Sequence, residues 1–174
     1  MIPFDKFRFR IIFNMLLKAY SNPCVALRIN EENMAKRILM IDDDPDDQLL
    51  FQLALKEIDP GIVVKTAENG LLGLQLIDSA FSPDLIVLDL NTPVLNGFEF
   101  LQRFSLNALF TKIPVVIYST AGDSESIRKT KELGADAFIS KPTDFKLLLL
   151  KVKKLLHHLP HLSTHKSPDT PFLL

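Results

Sequence analysis

PDLIVLDLNTPVLNGFEFL, residues 83–101, packs three signals into one stretch. Leu85, Ile86, Val87 and Leu88 form an apolar run too short for a helix and too continuous for a strand with one wet face, which predicts a strand covered on both sides. Asp89 ends the run, and a turn-rich segment holding Asn91, Pro93 and Asn96-Gly97 leads to apolar residues at helical spacing from Phe98. A buried strand, a polar end and a following helix make up one unit of a parallel α/β sheet.

The same unit recurs outward in both directions. Further strands are expected over 37–41, 63–67, 115–118 and 137–139, and helices over 46–57, 71–79, 98–106, 124–133 and 144–156. Asp59-Pro60-Gly61 and Glu68-Asn69-Gly70 punctuate them. Five strand–helix units predict an open, doubly wound α/β domain spanning residues 34–159.

The ends of the chain read differently. Residues 1–33 place five basic residues and three acidic ones around the apolar IIFNMLL. Positive charge before an apolar run resembles a signal peptide, but Asn14 interrupts the run, Lys18 follows it, and no small-x-small cleavage site is evident. Met34 lies just before the first strand, so residues 1–33 are expected to be a start-site artefact or a disordered arm. Residues 160–174, rich in Pro, Ser and Thr, are expected to be a disordered tail.

Composition excludes several classes. The chain of 174 residues carries 20 Lys plus Arg against 21 Asp plus Glu, a balance that argues against a broad nucleic-acid surface. Cys24 is the only cysteine, which rules out an intramolecular disulfide or a multi-thiolate metal site and fits a reducing cytoplasm. No apolar run approaches the roughly 20 residues of a membrane span, so no membrane partner is expected.

In open α/β sheets, ligands bind outside the carboxyl ends of the strands. Here those ends carry Asp42, Asp43 and Asp44, then Asp89, then Ser119 and Thr120, and finally Ser140 and Lys141. Clustered carboxylates resist ionising together and call for a cation. Oxygen-only ligands beside a phosphate-sized site favour Mg²⁺. Plainer readings stand beside this one, since acidic residues after a strand often cap the next helix, and that reading is preferred for Asp44 and Asp46. His157 and His161 are four apart, but Pro160 is expected to break the helix that would align them, so both are read as solvent-facing.

ILMIDDDP, PDLIVLDLNTPVLNGFEFL, IPVVIYST and GADAFISKP together resemble the signature segments of the CheY-like response-regulator receiver domain, in order and spacing. The resemblance covers residues 36–158. It implies a flavodoxin-like strand order 2-1-3-4-5 and a phosphoacceptor at Asp89, served by a histidine kinase or phosphotransfer protein. It also implies Mg²⁺ held by Asp42, Asp43, Asp89 and the backbone carbonyl of Asn91, with Lys141 and Ser119 on the phosphoryl oxygens. Phe138 takes the place of an aromatic rotamer switch, without the hydroxyl of the tyrosine often found there. Lys141-Pro142 matches a peptide bond that is cis in the family.

Asn96-Gly97 replaces the family's more usual Asp-Gly, and Thr92 replaces a larger apolar residue, which puts kinase docking in question. The acid-rich first loop with DLNTP and KPTDF is most similar to single-domain regulators of bacterial phytochrome-type kinases. The expected function is a stand-alone switch that alters the surface around its fourth helix and fifth strand for a downstream protein, with phosphorylation-dependent homodimerisation a further expectation. Two other readings compete. DLNTP resembles the nucleophile loop of haloacid-dehalogenase-type phosphatases, but Asn91 stands where a carboxylate must act as acid and base. A constitutive interaction module without the chemistry is disfavoured by the intact set Asp43, Asp89, Ser119 and Lys141.

Overall fold

The computed structural model describes residues 36–79, 81–107, 112–162 and 172–174; the expectations for residues 1–33 fall outside them. The elements run β1 (Arg37–Ile41), α1 (Pro45–Ile58), β2 (Val63–Ala67), α2 (Gly70–Asp78), β3 (Leu85–Leu88), α3 (Gly97–Ser105), β4 (Val115–Ser119), α4 (Ser124–Glu132), β5 (Ala137–Ser140) and α5 (Phe145–Leu162). All strand pairs are parallel, in the order β2-β1-β3-β4-β5, as the resemblance implies.

Side-chain alternation along each strand builds two apolar layers. Ile38, Met40, Val87 and Ile139 face Phe51 and Leu55 of α1 and Val152 and Leu155 of α5. Leu39, Ile41, Ile86, Ile117 and Phe138 face the other way, toward Ile77 of α2 and Phe100 and Leu101 of α3. β3 and β4 are buried along their whole length because helices cover both of their faces, whereas β2, at one sheet edge, is mostly exposed.

Helix starts follow the local chemistry. Asp44 caps α1, its side chain accepting from the backbone N–H groups of Asp46 and Asp47, as read from the sequence. Asn96 caps α3 in a reciprocal pair with Glu99. Asn96-Gly97 is therefore a helix start rather than the tight turn expected from it. Gly97 is required by close approach, since a Cβ there would lie 2.6 Å from the carbonyl oxygen of Asp89 and 2.8 Å from Cα of Leu90.

Three expectations fail in the last third of the chain. Helix α5 continues through Pro160 to Leu162, so Pro160 does not break it between His157 and His161. Proline there disturbs only the last turn, while Leu159 and Leu162 gain burial in the core. The Lys141-Pro142 bond is trans, the isomer that an X-Pro bond prefers intrinsically. The tail is not disordered at its end, where Phe172–Leu174 runs parallel to β5. The N–H of Phe138 donates to the carbonyl of Phe172, and the N–H of Leu174 donates to the carbonyl of Phe138. The apolar side chains of Phe172 and Leu174 outweigh the polar composition that pointed to disorder.

Candidate functional site

Backbone pairing past the strand ends fixes the acidic residues. The N–H of Asp42 donates to Ala67 and that of Asp89 to Ile41, so each residue just beyond a strand is held against the neighbouring strand. This brings Asp42 and Asp89, both buried, to one point at the carboxyl edge of the sheet. Asp43 stands beside them, exposed, and one carboxylate oxygen from each of Asp42, Asp43 and Asp89 lies within 4.8 Å of the others. Two buried hard oxygens and one exposed one suit a small divalent cation that retains water.

Lys141, one residue beyond β5, reaches into this cluster. Its Nζ lies 2.7 Å from Oδ2 of Asp89, 2.8 Å from Oδ2 of Asp47 and 2.9 Å from Oδ2 of Asp42. It donates hydrogen bonds to Asp89 and Asp47. Oδ2 of Asp42 is close enough for an ion pair but accepts no hydrogen bond, which leaves a buried oxygen with unspent acceptor capacity. Burial by itself would lower the Lys141 ammonium, but the close contacts with the carboxylates of Asp47, Asp89 and Asp42 outweigh it and raise its pKa above the usual value. Burial pushes the Asp42 carboxyl up to about 6, opposed by Lys141 and reinforced by the Asp89 charge. A cation beside Asp42 would relieve that cost, so the residues present fit a bound divalent ion.

Ser119 ends β4, beside Lys141 in the sheet. It is fully buried, its Oγ accepts from the N–H of Ala121 at 3.3 Å, and its carbonyl accepts from the N–H of Lys141 at 3.0 Å. A rotor held by one long bond remains able to donate its own proton elsewhere. Asn91 is exposed and donates its N–H to Oδ1 of Asp89 at 3.3 Å, steadying the carboxylate. Phe138 lies three residues before Lys141, with only 1 % of its surface exposed, in the layer formed with Ile117, Leu101 and Ala135.

The structure therefore gathers Asp42, Asp43, Asp89 and Lys141, places Ser119 at the end of β4 with its carbonyl on the Lys141 N–H, and keeps Asp44 and Asp46 as helix-start residues. Thr92, read as a docking-surface change, is instead buried, and its hydroxyl donates to the carbonyl of Leu95 within the loop. Asp47 was missed. Its signal lay in the DDDPDD run: the third helical position of α1, directly after β1, points back over the strand ends. Gln48 was missed too; its side-chain amide donates to the carbonyl of Asp42 at 2.6 Å.

The model of the response regulator receiver domain matches residues 38–153. Sporulation initiation phosphotransferase F of Bacillus subtilis is 32% identical over 120-odd positions, covering 71% of this chain and 95% of that protein. The phosphorylated cyanobacterial phytochrome response regulator RcpA superposes with a TM-score of 0.68 at 29% identity, covering 78% of this chain and 99% of that one. The Mn(2+)-bound form of response regulator Rcp1 does so with a TM-score of 0.64 at 26% identity, covering 77% and 99%. The chain spans about half the length of four other curated relatives that it matches, several of which are named as transcriptional regulators. On the family match, the sheet order and the acidic cluster at its carboxyl edge, the chain belongs to the response regulator receiver domain family, whose members are phosphorylated on an aspartate in two-component signalling.

Proposed function

We propose that Asp89 is the phosphoacceptor of a switch charged by a histidine kinase or phosphotransfer protein. The observation that carries this reading is the 2.7 Å contact between Lys141 Nζ and Asp89 Oδ2, beside the three-carboxylate cluster at the sheet edge. In the transfer, a carboxylate oxygen of Asp89 forms a bond to phosphorus as the bond from phosphorus to the donor imidazole nitrogen breaks. The imidazole leaves with the electron pair of that bond. Asp42, Asp43, Asp89 and the Asn91 carbonyl would hold Mg²⁺, which when bound offsets charge on the transferring phosphoryl oxygens. Lys141 supplies a fixed ammonium to the same oxygens and Ser119 a hydroxyl donor, and both remain engaged after transfer.

The new charge gives Ser119 and Lys141, at the ends of β4 and β5, a stronger partner than they have at present. Their adjustment passes along β5 to Phe138 and the surface beside α4, where a downstream protein reads it, whether as a separate partner or a second copy. The kinase is of the phytochrome type on this reading, which the similarity to the phytochrome response regulator RcpA supports. We place the switch in the cytoplasm, free of nucleic acid and membrane; among the described residues no helix is long and apolar enough to cross a membrane. Self-catalysed phosphotransfer and dephosphorylation are its only chemistry.

Incubation with acetyl phosphate tests the proposal. Phosphate should be incorporated only when Mg²⁺ or a similar divalent ion is present. Asp43→Ala should raise the Mg²⁺ concentration for half-maximal labelling at least tenfold, whereas Asp46→Ala, altering a residue that only starts α1, should leave it within about twofold. Equal shifts for the two variants would show that the metal ligands are wrongly assigned.

A further inference from the structure

The exposed edge of β5 is closed by the chain itself. In this strand the alternate residues bond to β4, as the N–H of Lys141 does to the carbonyl of Ser119. Phe138 therefore turns its N–H and C=O outward, to an edge that would otherwise be open. Both groups are taken by Phe172–Leu174, at 2.6 Å and 3.0 Å. The side chains of this short segment enter both layers of the domain. Phe172 packs with the layer of Phe138 and Ile127, Leu174 is 9% exposed in the layer of Val152 and Leu156, and Leu173 between them points to solvent.

Two lysines line the entrance. Lys131 of α4 places its Nζ 5.5 Å from the centre of the Phe172 ring, and Lys151 of α5 donates to the carbonyl of Leu174 at 2.9 Å. Backbone pairing, an apolar layer on each side of the sheet taking one side chain of the segment, and a cation near each end are the elements of strand-addition recognition.

We propose that the β5 edge between α4 and α5 is a binding surface for an extended segment with the pattern apolar-x-apolar, occupied in cis by Phe172–Leu174. The segment is an intramolecular latch on Phe138, and a partner that pairs with this edge must displace it. The proposal concerns backbone pairing alone and stands whether or not Asp89 is the phosphoacceptor.

Amide hydrogen exchange of Phe138 reads the latch directly, because the Phe138 N–H has the Phe172 carbonyl as its acceptor. In the full chain this amide should be protected. Leu174→Pro, which keeps an apolar side chain but removes the donor to Phe138, and Phe172→Asp with Leu174→Asp, which removes both anchors, should each speed its exchange at least tenfold. The amides of Ile86 and Ile117, deep in the sheet, should stay protected in both variants and so report an intact fold. Leu173→Lys, at an exposed position, should leave Phe138 protected. A synthetic peptide of residues 167–174 added to the doubly substituted chain should restore protection. Unchanged exchange in the variants would overturn the latch. Protection that falls on dilution would also overturn it, by placing the strand in a second copy. Failure of the peptide to protect would overturn the claim that the edge accepts a strand from outside.

Discussion

Asp89→Asn should incorporate no detectable phosphate from acetyl phosphate or from a charged kinase, while its circular dichroism and melting curve stay close to those of the parent chain. The substitution keeps the shape of the side chain, and its one amide oxygen can still accept from Lys141 Nζ in place of Oδ2, while the long 3.3 Å bond from Asn91 N–H to Oδ1 is given up to the NH2 group. What disappears is the carboxylate oxygen that attacks phosphorus. Removing one of several crowded carboxylates also eases repulsion with Asp42, where the Asp89 charge adds to the upward push on the carboxyl. Stability should therefore hold or rise slightly. Labelling of the variant at the parent rate would mean that another group accepts the phosphate.

Lys141→Ala is expected to have the largest effect on stability. One ammonium serves three carboxylates within 2.9 Å, and its side chain is only 8% exposed. Deleting it leaves Asp42 and Asp89 buried without their counter-charge, and breaking a buried pair in this way costs roughly 3–5 kcal/mol. Asp47 contributes least to that cost because it is the most exposed of the three partners. Urea denaturation without divalent ions should show the loss, and saturating Mg²⁺ should recover part of it by replacing the missing positive charge. Some labelling of Asp89 should persist, since a bound cation can offset charge during transfer. Beryllofluoride, a phosphoryl mimic, should shift the amide signals of Phe138 and α4 in the parent chain and fail to do so in the variant. Unaltered stability would show that the triple contact carries little weight.

Much of this was legible in the residues. Strands β1 and β3 fall where their apolar runs placed them, because a buried strand with polar ends has little freedom in its boundaries, and the mostly exposed β2 is bounded instead by the turns at Asp59-Pro60-Gly61 and Glu68-Asn69-Gly70. Asp42, Asp89 and Lys141 converge, with Ser119 at the same edge, because parallel strands must bring their carboxyl ends together. The misses share a different cause. Asp47 looked like one more acidic residue at a helix start, and only the reach of Lys141 from beyond β5 to the first turn of α1 reveals its contact. The pairing of Phe172–Leu174 with Phe138 joins residues 34 positions apart through backbone atoms, which no side-chain pattern encodes. Pro160 within α5 shows tertiary burial of Leu159 and Leu162 overriding a local breaker.

Chemical marking of the phosphorylated residue tests the central claim most directly. Borohydride reduces an acyl phosphate to an alcohol, converting a phosphorylated aspartate into homoserine, which fragment masses then locate in the sequence. After Mg²⁺ and acetyl phosphate treatment, homoserine is predicted at position 89 and at no other aspartate. Homoserine at Asp42, Asp43 or Asp47 instead, or none at all from a chain that has taken up phosphate, would contradict the assignment of Asp89 as the phosphoacceptor.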